Sequence, residues 1–228
     1  MMRNSGYKID WNVINKYLPE LLKGLSITLE ISAVGMALAL IFGLVMAVGR
    51  LSRNRFISRI SDGAVQICRA IPLFVLLFWI YYGLSLKFNL LLTEFQAGAL
   101  SLGITGGAYM AEVFRSGLLA IAPGQSEAGL AIGLSKGQVF RGIVLPQALR
   151  IVIPPTVNVY VGLLKGATIV SVIGVSDMIY VAQYVSLATF TPFELYTVAG
   201  VIFVALTLSI SGFAYLLERS MGKSKAHV

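Results

Sequence analysis

The chain reads as an all-α, polytopic transmembrane helical bundle of about five spans. Three observations carry this reading. The composition is 57% hydrophobic and only 12% charged, with a mean hydropathy of +0.83, where soluble domains carry about 25% charged residues. Uncharged stretches at 31–49, 70–86 and 195–217 approach or exceed the roughly 20 residues a helix needs to cross a bilayer. Basic residues cluster between these stretches, as they do in loops held on the cytoplasmic side.

In chain order, residues 1–22 form an outer N-terminal segment. It lacks the basic start, short apolar core and small-residue cut site of a cleavable signal. Trp11 and Tyr17 suit an interfacial amphipathic helix, and a frayed tail is the other reading. The first span is expected at 24–49, with Glu30 inside its outer portion, either paired with an Arg or Lys or facing a cavity. Arg50, Arg53, Arg55 and Arg59 follow at once and set the topology. The second span, 65–86, is expected to kink or break at Pro72. Trp79, Tyr81 and Tyr82 suit an outer aromatic belt, and 87–94 a short outer loop. The third span, 95–115, is dense in small residues (Ser101, Gly103, Thr105, Gly106, Gly107), which lets helix backbones pack closely in lipid. An inner loop carries Arg115, Lys136, Arg141 and Arg150. The fourth span starts near 147–151, contains Pro154-Pro155, and is expected to break at Lys165-Gly166, with 167–176 a broken or re-entrant continuation. Residues 177–193 read as an outer loop with a short helix. The last span is 193–217, followed by Arg219, Lys223 and Lys225. The N-terminus is then outside and the C-terminus inside.

The composition excludes several functions. The +8 net charge sorts by membrane side and not onto one patch, so no nucleic-acid partner is expected. One cysteine, Cys68, rules out an intrachain disulfide, and the single histidine, His227, lies at the tail. No metal cluster, no phosphate-cradling Gly-x-x-x-x-Gly-Lys-Ser/Thr and no Ser/His/Asp set occurs. Asp10, Asp62 and Asp177 are the only aspartates, which leaves no two-aspartate intramembrane protease. No catalysis and no cofactor are expected, and the driving energy must come from another chain.

The polar stretch 123–146 reads as a cytoplasmic loop built on a short helix. Pro123-Gly124 breaks what precedes it, Ser126 is an N-cap candidate, Glu127 sits in the first turn, and Gly137 is the candidate stop. Leu130 and Leu134 would share a face. Gly129 and Gly133 cost about 1 kcal/mol each relative to alanine, a cost that implies a face closely approached by another surface.

Glu127-Ala128-Gly129, three residues, Gly133, nine residues, then Ile143-x-Leu145-Pro146 resembles the EAA loop of ABC-importer permeases, with Gly129 in place of the second alanine. Arg69-Ala70-Ile71-Pro72, Tyr109-x-x-Glu112-x-x-Arg115, Gly124-Gln125, Leu145-Pro146-Gln147-Ala148, Pro154-Pro155, Asn158 and Lys165 are similar to the polar amino acid branch, of the histidine/glutamine/arginine type. The resemblance implies a type I ABC importer permease-like fold and a single permease domain over 1–228. It makes Glu127, Ala128, Gly129, Gly133, Leu145 and Pro146 the ATPase-coupling residues. It also implies two ABC ATPase subunits, a second permease copy of like or unlike kind, an extracytoplasmic solute-binding protein, and a bacterial inner membrane location. The function implied is import of a polar amino acid or similar small zwitterion.

For the solute path, Asn158, Val161 or Gly162, and Lys165 fall on one helical stripe, with Val159 and Gly166 on the next. Cation-binding members of the family carry acidic residues at those two neighbouring positions. Val159 and Gly166 remove that charge, so this chain alone is not expected to form a basic-amino-acid site: it serves a neutral, zwitterionic or acidic solute, or sits beside a partner chain that does the binding. Arg69 and Lys165 are candidates to meet a solute carboxylate, the other reading being internal pairing with Glu30 or Glu112. Thr168 completes the path candidates. An ATP-independent secondary transporter or channel subunit is the competing function; it predicts inverted repeats or a ring of pore charges, and the sequence shows neither.

Overall fold

The computed structural model describes residues 9–222; the first eight residues, Lys223, Lys225 and His227 lie outside them. The described chain is helical, with α1 Asn12–Arg50, α2 Arg55–Ala70, α3 Leu73–Phe88, α4 Glu94–Leu119, α5 Pro123–Ala131, α6 Lys136–Ile173, α7 Met178–Thr189 and α8 Pro192–Gly222.

α1 is a single 39-residue helix, about 58 Å long at 1.5 Å per residue. Of the expected interfacial segment at 1–22, residues 1–8 lie outside the described residues and 12–22 are helically continuous with the span expected at 24–49. Residues 12–22 continue the span because Val13, Ile14, Tyr17 and the fully buried Leu21 pack upright on Met178, Ala182, Val185 and Leu195 of α7 and α8.

α2 runs back along the end of α1. Ser58 donates its hydroxyl to the Arg50 carbonyl at 2.9 Å. α2 stops at Ile71, whose backbone is extended (φ −77°, ψ 124°), because the proline that follows disfavours a helical residue before it and lacks an N–H itself. α3 leaves at 101°. The expected second span at 65–86 is thus not one helix: it starts ten residues earlier, at Arg55, and turns sharply where Pro72 stands.

α4 opens with a capping box, Thr93 accepting from the Gln96 N–H and Gln96 from the Thr93 N–H. It packs along α1 more extensively than any other pair of elements does. Small residues make this possible: a Cβ on Gly103 would sit 2.6 Å from Leu38 Cβ, and one on Gly43 would sit 2.5 Å from Met110 Cβ. The main core forms where Ile31 and Ala39 of α1, Leu77 and Ile80 of α3, Leu102 and Met110 of α4, and Ala167 and Val170 of α6 meet.

α6 corrects the expected break at Lys165-Gly166. The helix passes through both residues, tightens to 3-10 geometry at Ala167–Ile173, and ends at Gly174 with φ +96°. Lys165 is tolerated because its side chain is exposed, and Gly166 lets Leu73 and Leu102 approach. Nearer its start, α6 widens to a π turn at Phe140–Val144, just ahead of Pro146, which has no N–H to give the preceding turn. α7 is the expected short helix after the loop, capped by Asp177, which accepts from the Tyr180 N–H at 2.9 Å.

By length and composition α1, α6 and residues 192–216 of α8 can cross a membrane, and α2 with α3 makes a fourth span if the bent pair counts as one. α4, with 26 residues, is the remaining element of the expected five; its glycines and serines dilute its apolar content.

Candidate functional site

The polar loop and the middle of α6 are the two places the sequence marks. In the loop, the helix runs from Pro123 to Ala131 with the proline in its first turn, where a missing N–H costs nothing. The expected N-cap at Ser126 and stop at Gly137 are corrected. Ser126 lies inside the helix, and the stop is Gly133, at φ +84°. There the Gly133 N–H donates to the Leu130 carbonyl at 3.0 Å and the Leu134 N–H to the Gly129 carbonyl at 3.1 Å, the two bonds of a Schellman cap. Leu134 lies past the turn and shares no helix face with Leu130. Ser135 then caps α6 in a capping box with Gln138.

The two glycines have different roles. Gly129 is buried, and a Cβ there would meet Ile143 Cδ1 at 2.8 Å and Val139 Cγ2 at 2.9 Å. The surface that approaches it is α6 of the same chain. Gly133 has nothing within 4 Å of an added Cβ, so its requirement is the positive φ alone. Leu145 and Pro146 lie where the π turn rejoins the α-helix. Gln147 Nε2 donates to the Ile143 carbonyl at 2.9 Å and to Gln125 Oε1 at 3.4 Å, which ties the start of α5 to α6. Glu127 and Ala128 are exposed. So is Ile132, at 77%, an apolar tip that the sequence reading passed over because it sits at a helix end and not on a periodic face.

In α6, Asn158, Val159, Gly162 and Gly166 line one cavity of about 430 Å³, within the range of small-molecule sites. Leu73 of α3 and Leu102, Thr105 and Tyr109 of α4 complete it. Its polar groups are the Asn158 amide, the Tyr109 hydroxyl and Thr105 Oγ1, a buried hydroxyl without a hydrogen-bond partner; no carboxylate lines it. Lys165 and Thr168 belong elsewhere: they line a second cleft, of about 410 Å³, with Phe203 and Thr207 of α8. The expected stripe is thus divided between two sides of α6. Arg69 lies outside the cavity, its guanidinium 5.5 Å from the Tyr109 ring centroid, so it borders the cavity through that ring. Thr105 and Tyr109 are the lining residues whose contribution needed the fold, since nothing in the spacing of α4 places them opposite Asn158.

The expected internal pairing of Arg69 or Lys165 with Glu30 or Glu112 is replaced by another network. Arg50, 6% exposed in its side chain, binds Glu112 of α4 and, at 2.7 Å, Asp62 of α2, while Arg115 reaches Glu112 at 3.6 Å. Among the described residues no ion pair includes Arg69, Lys165 or Glu30, and no group of His, Cys, Asp or Glu is arranged to hold a metal.

Residues 39–223 match the family model described as binding-protein-dependent transport system inner membrane component. The chain is 34% identical over 218 residues, 90% of its length and 96% of the relative's, to the histidine/lysine/arginine/ornithine transport system permease protein HisQ of Escherichia coli. It is 33% identical to the glutamine transport system permease protein GlnP of the same organism, covering 94% of this chain and 98% of that one. Among solved structures it is similar to a chain of an amino acid ABC transporter crystallised with histidines, at a TM-score of 0.87 and 32% identity, covering 93% of this chain and 99% of that one. The methionine ABC transporter MetNI matches at a TM-score of 0.72 and 20% identity, covering 93% and 99%, a likeness of fold.

Proposed function

The chain belongs to the family of binding-protein-dependent transport system inner membrane components, and from that membership we infer that it is the permease subunit of an ATP-binding-cassette importer for a polar amino acid or similar small zwitterion. It is a multi-pass inner-membrane protein and not an enzyme: ATP hydrolysis in such systems belongs to separate subunits, and a solute-binding protein delivers the cargo. The finer assembly is two ATPases and two permease copies, of like or unlike chains, with the N-terminus outside and the C-terminus inside. The basic residues Arg50, Arg53, Arg55, Arg115 and Arg141 support that orientation through the positive-inside rule.

Glu127–Gly133, with Leu145 and Pro146 behind it, is the docking knob for the ATPase. What supports this is its construction: a capped two-turn helix tied through Gly129, Gln125 and Gln147 to the base of α6, so that a push on the knob becomes a tilt of the helix that lines the cavity.

The solute binds in the cavity at Asn158, Val159 and Gly166, next to Arg69, while Lys165 and Thr168 face a neighbouring cleft of the same path. The observation that carries the solute class is the absence of any carboxylate among the cavity's lining residues. A cationic side chain in this low-dielectric site would lack its natural partner, so the solute is neutral or anionic in its side chain. Uptake into vesicles holding the assembled transporter, with this chain as the sole permease, tests the reading: ATP-dependent entry of a neutral or acidic amino acid is expected, and robust arginine entry would overturn the solute class. Failure of any ABC ATPase to co-purify with the chain would overturn the importer reading itself.

A further inference from the structure

α2 has a polar face of which the fold uses Asp62, paired with Arg50, and the cavity only Arg69 at its border; Arg55, Arg59 and Gln66 are left without a role. Arg55, Arg59, Asp62, Gln66 and Arg69 follow one another at offsets of four, three, four and three, so they form one stripe along the helix. All five are exposed, and Val65 is the only residue of α2 that is buried. An adjoining side, about a third of the way round the helix, carries Phe56, Ile60 and Ile67, exposed at 73%, 56% and 62%, as a lipid-facing surface would.

The stripe reaches deep into the bundle. Arg69 stands over Tyr109, and Tyr109 lies between Gly107 and Met110, which touch Phe42 and Gly43 of α1. Those residues lie seven or eight positions before Arg50 on α1, about 11 Å along the helix axis. α2 therefore carries charge from the level of Arg50, at the basic end of the bundle, to the edge of the cavity. Charged side chains at such depth face water or protein, not lipid. Their sign is one-sided. The stripe holds three arginines and one aspartate; that aspartate is paired with Arg50, and Glu112 of α4, close enough to Arg69 to feel its charge, is itself held by Arg50 and Arg115.

We propose that the polar face of α2 is the wall of a water-filled, electropositive vestibule that opens on the cytoplasmic side and conducts a carboxylate-bearing solute from the cavity to the inner surface. This rests on the import reading for its direction and its cargo. A solute carboxylate leaving the cavity meets Arg69 first, then Arg59 about three turns further out and Arg55 about one turn beyond that. Positive potential along a narrow cleft raises the local concentration of anions and lowers that of cations. The cavity, which lacks a carboxylate, and the vestibule, which repels cations, select in the same direction, with Arg69 at the junction of the two.

Cysteine accessibility tests the proposal in inside-out vesicles holding the complete transporter. Cys68, which lines an apolar crevice between α1, α2 and α4, is first replaced by serine. Gln66→Cys and Arg59→Cys are each expected to react with the anionic reagent sulfonatoethyl methanethiosulfonate from the cytoplasmic side, while Ile60→Cys and Ile67→Cys stay protected by lipid. Relative to a free thiol, the anionic reagent is expected to outpace the cationic trimethylammonioethyl reagent at Gln66→Cys by about tenfold, and Arg55→Gln with Arg59→Gln to reduce that ratio. Protection of both polar-face cysteines, as when a second permease copy covers α2, would overturn the vestibule; so would faster reaction with the cation. Uptake by the Cys68→Ser parent is measured alongside in right-side-out vesicles: labelling as expected without amino-acid entry would overturn the import reading and not the vestibule.

Discussion

The Leu134 N–H donates to the Gly129 carbonyl at 3.1 Å, and this bond closes the end of the proposed docking knob around Gly133 at φ +84°. Gly129 is held by α6 from behind, so the turn fixes where Glu127, Leu130 and Ile132 point relative to the spans. A residue with a Cβ at position 133 strains the left-handed turn by about 1–2 kcal/mol, and a β-branched one by more. Gly133→Val should unwind the cap and uncouple ATP hydrolysis from uptake, while Gly133→Asn, which tolerates the left-handed region, should retain most coupling. The ratio of solute moved to ATP hydrolysed in the purified assembly checks this. Normal coupling in Gly133→Val would show that the knob's shape does not matter.

The chain reading placed a short polar helix between greasy ones correctly and its ends wrongly, for a physical reason. The spacing points to Gly137 as the stop, while the chain turns at Gly133. What decides between them is that Ser135 and Gln138 form a capping box that starts the next helix, so the chain must already have turned before Ser135. Pro72 was legible as a break because a missing N–H and a constrained preceding residue act locally. Lys165-Gly166 was misread as one because a lysine in an apolar run looks like an interruption until the fold shows its side chain leaving toward a cleft with α8. The cavity is only partly legible: helical period groups Asn158 with Lys165, which lines the other cleft, Val159 and Gly166 enter through the resemblance, and Thr105 and Tyr109 enter only through the packing of α4 against α1, set by glycines that nothing in sequence assigns to a partner.

Arg50 joins three helices through one guanidinium. It binds Glu112 and Asp62, its side chain is 6% exposed, and its Nε is buried without a partner. Asp62 is 52% exposed, so its pairing is worth under about 1 kcal/mol. Arg50→Met should therefore cost far more than Asp62→Asn, because it leaves Glu112 without its main partner and frees α2 from α1 at once. Thermal unfolding of the detergent-purified chain should rank the two variants in that order. Equal losses would mean that the clamp acts through Asp62 alone.

Asp177, between α6 and α7, is fully buried. It caps α7 through one oxygen, and its other oxygen has no partner. Burial raises its pKa from 3.8 to about 6, against the opposing pull of backbone N–H groups at the start of α7. The folded state therefore holds the proton more tightly than the unfolded chain does. The stability this contributes is complete below about pH 4 and is lost as pH rises through about 6. Asp177→Asn keeps an N-cap of equal quality and removes the titration. Melting temperature followed from about pH 4.5 to 7 should fall more steeply in the parent than in Asp177→Asn. Identical slopes would show that Asp177 stays ionised throughout.

Val159 is the position at which the solute class can be rewritten. It lines the cavity on the stripe next to Asn158, and its side chain is half-buried, so a glutamate there can extend into the space without displacing backbone. Gly166 is less accommodating, because even a Cβ would lie 2.9 Å from Leu73 Cδ2; that branched end must rotate before an aspartate fits. A carboxylate in this cavity would give a guanidinium or ammonium its charge-assisted partner and would offset the repulsion a cation meets from Arg69. If the cavity selects as proposed, Val159→Glu should raise uptake of a cationic amino acid relative to a neutral one by about tenfold, the equivalent of 1.4 kcal/mol, and Val159→Glu with Gly166→Asp by more. Competition between arginine and glutamine for entry into vesicles measures the ratio directly. If Val159→Gln raises arginine entry as much as Val159→Glu does, the change comes from size or polarity, and charge in the cavity does not select the solute.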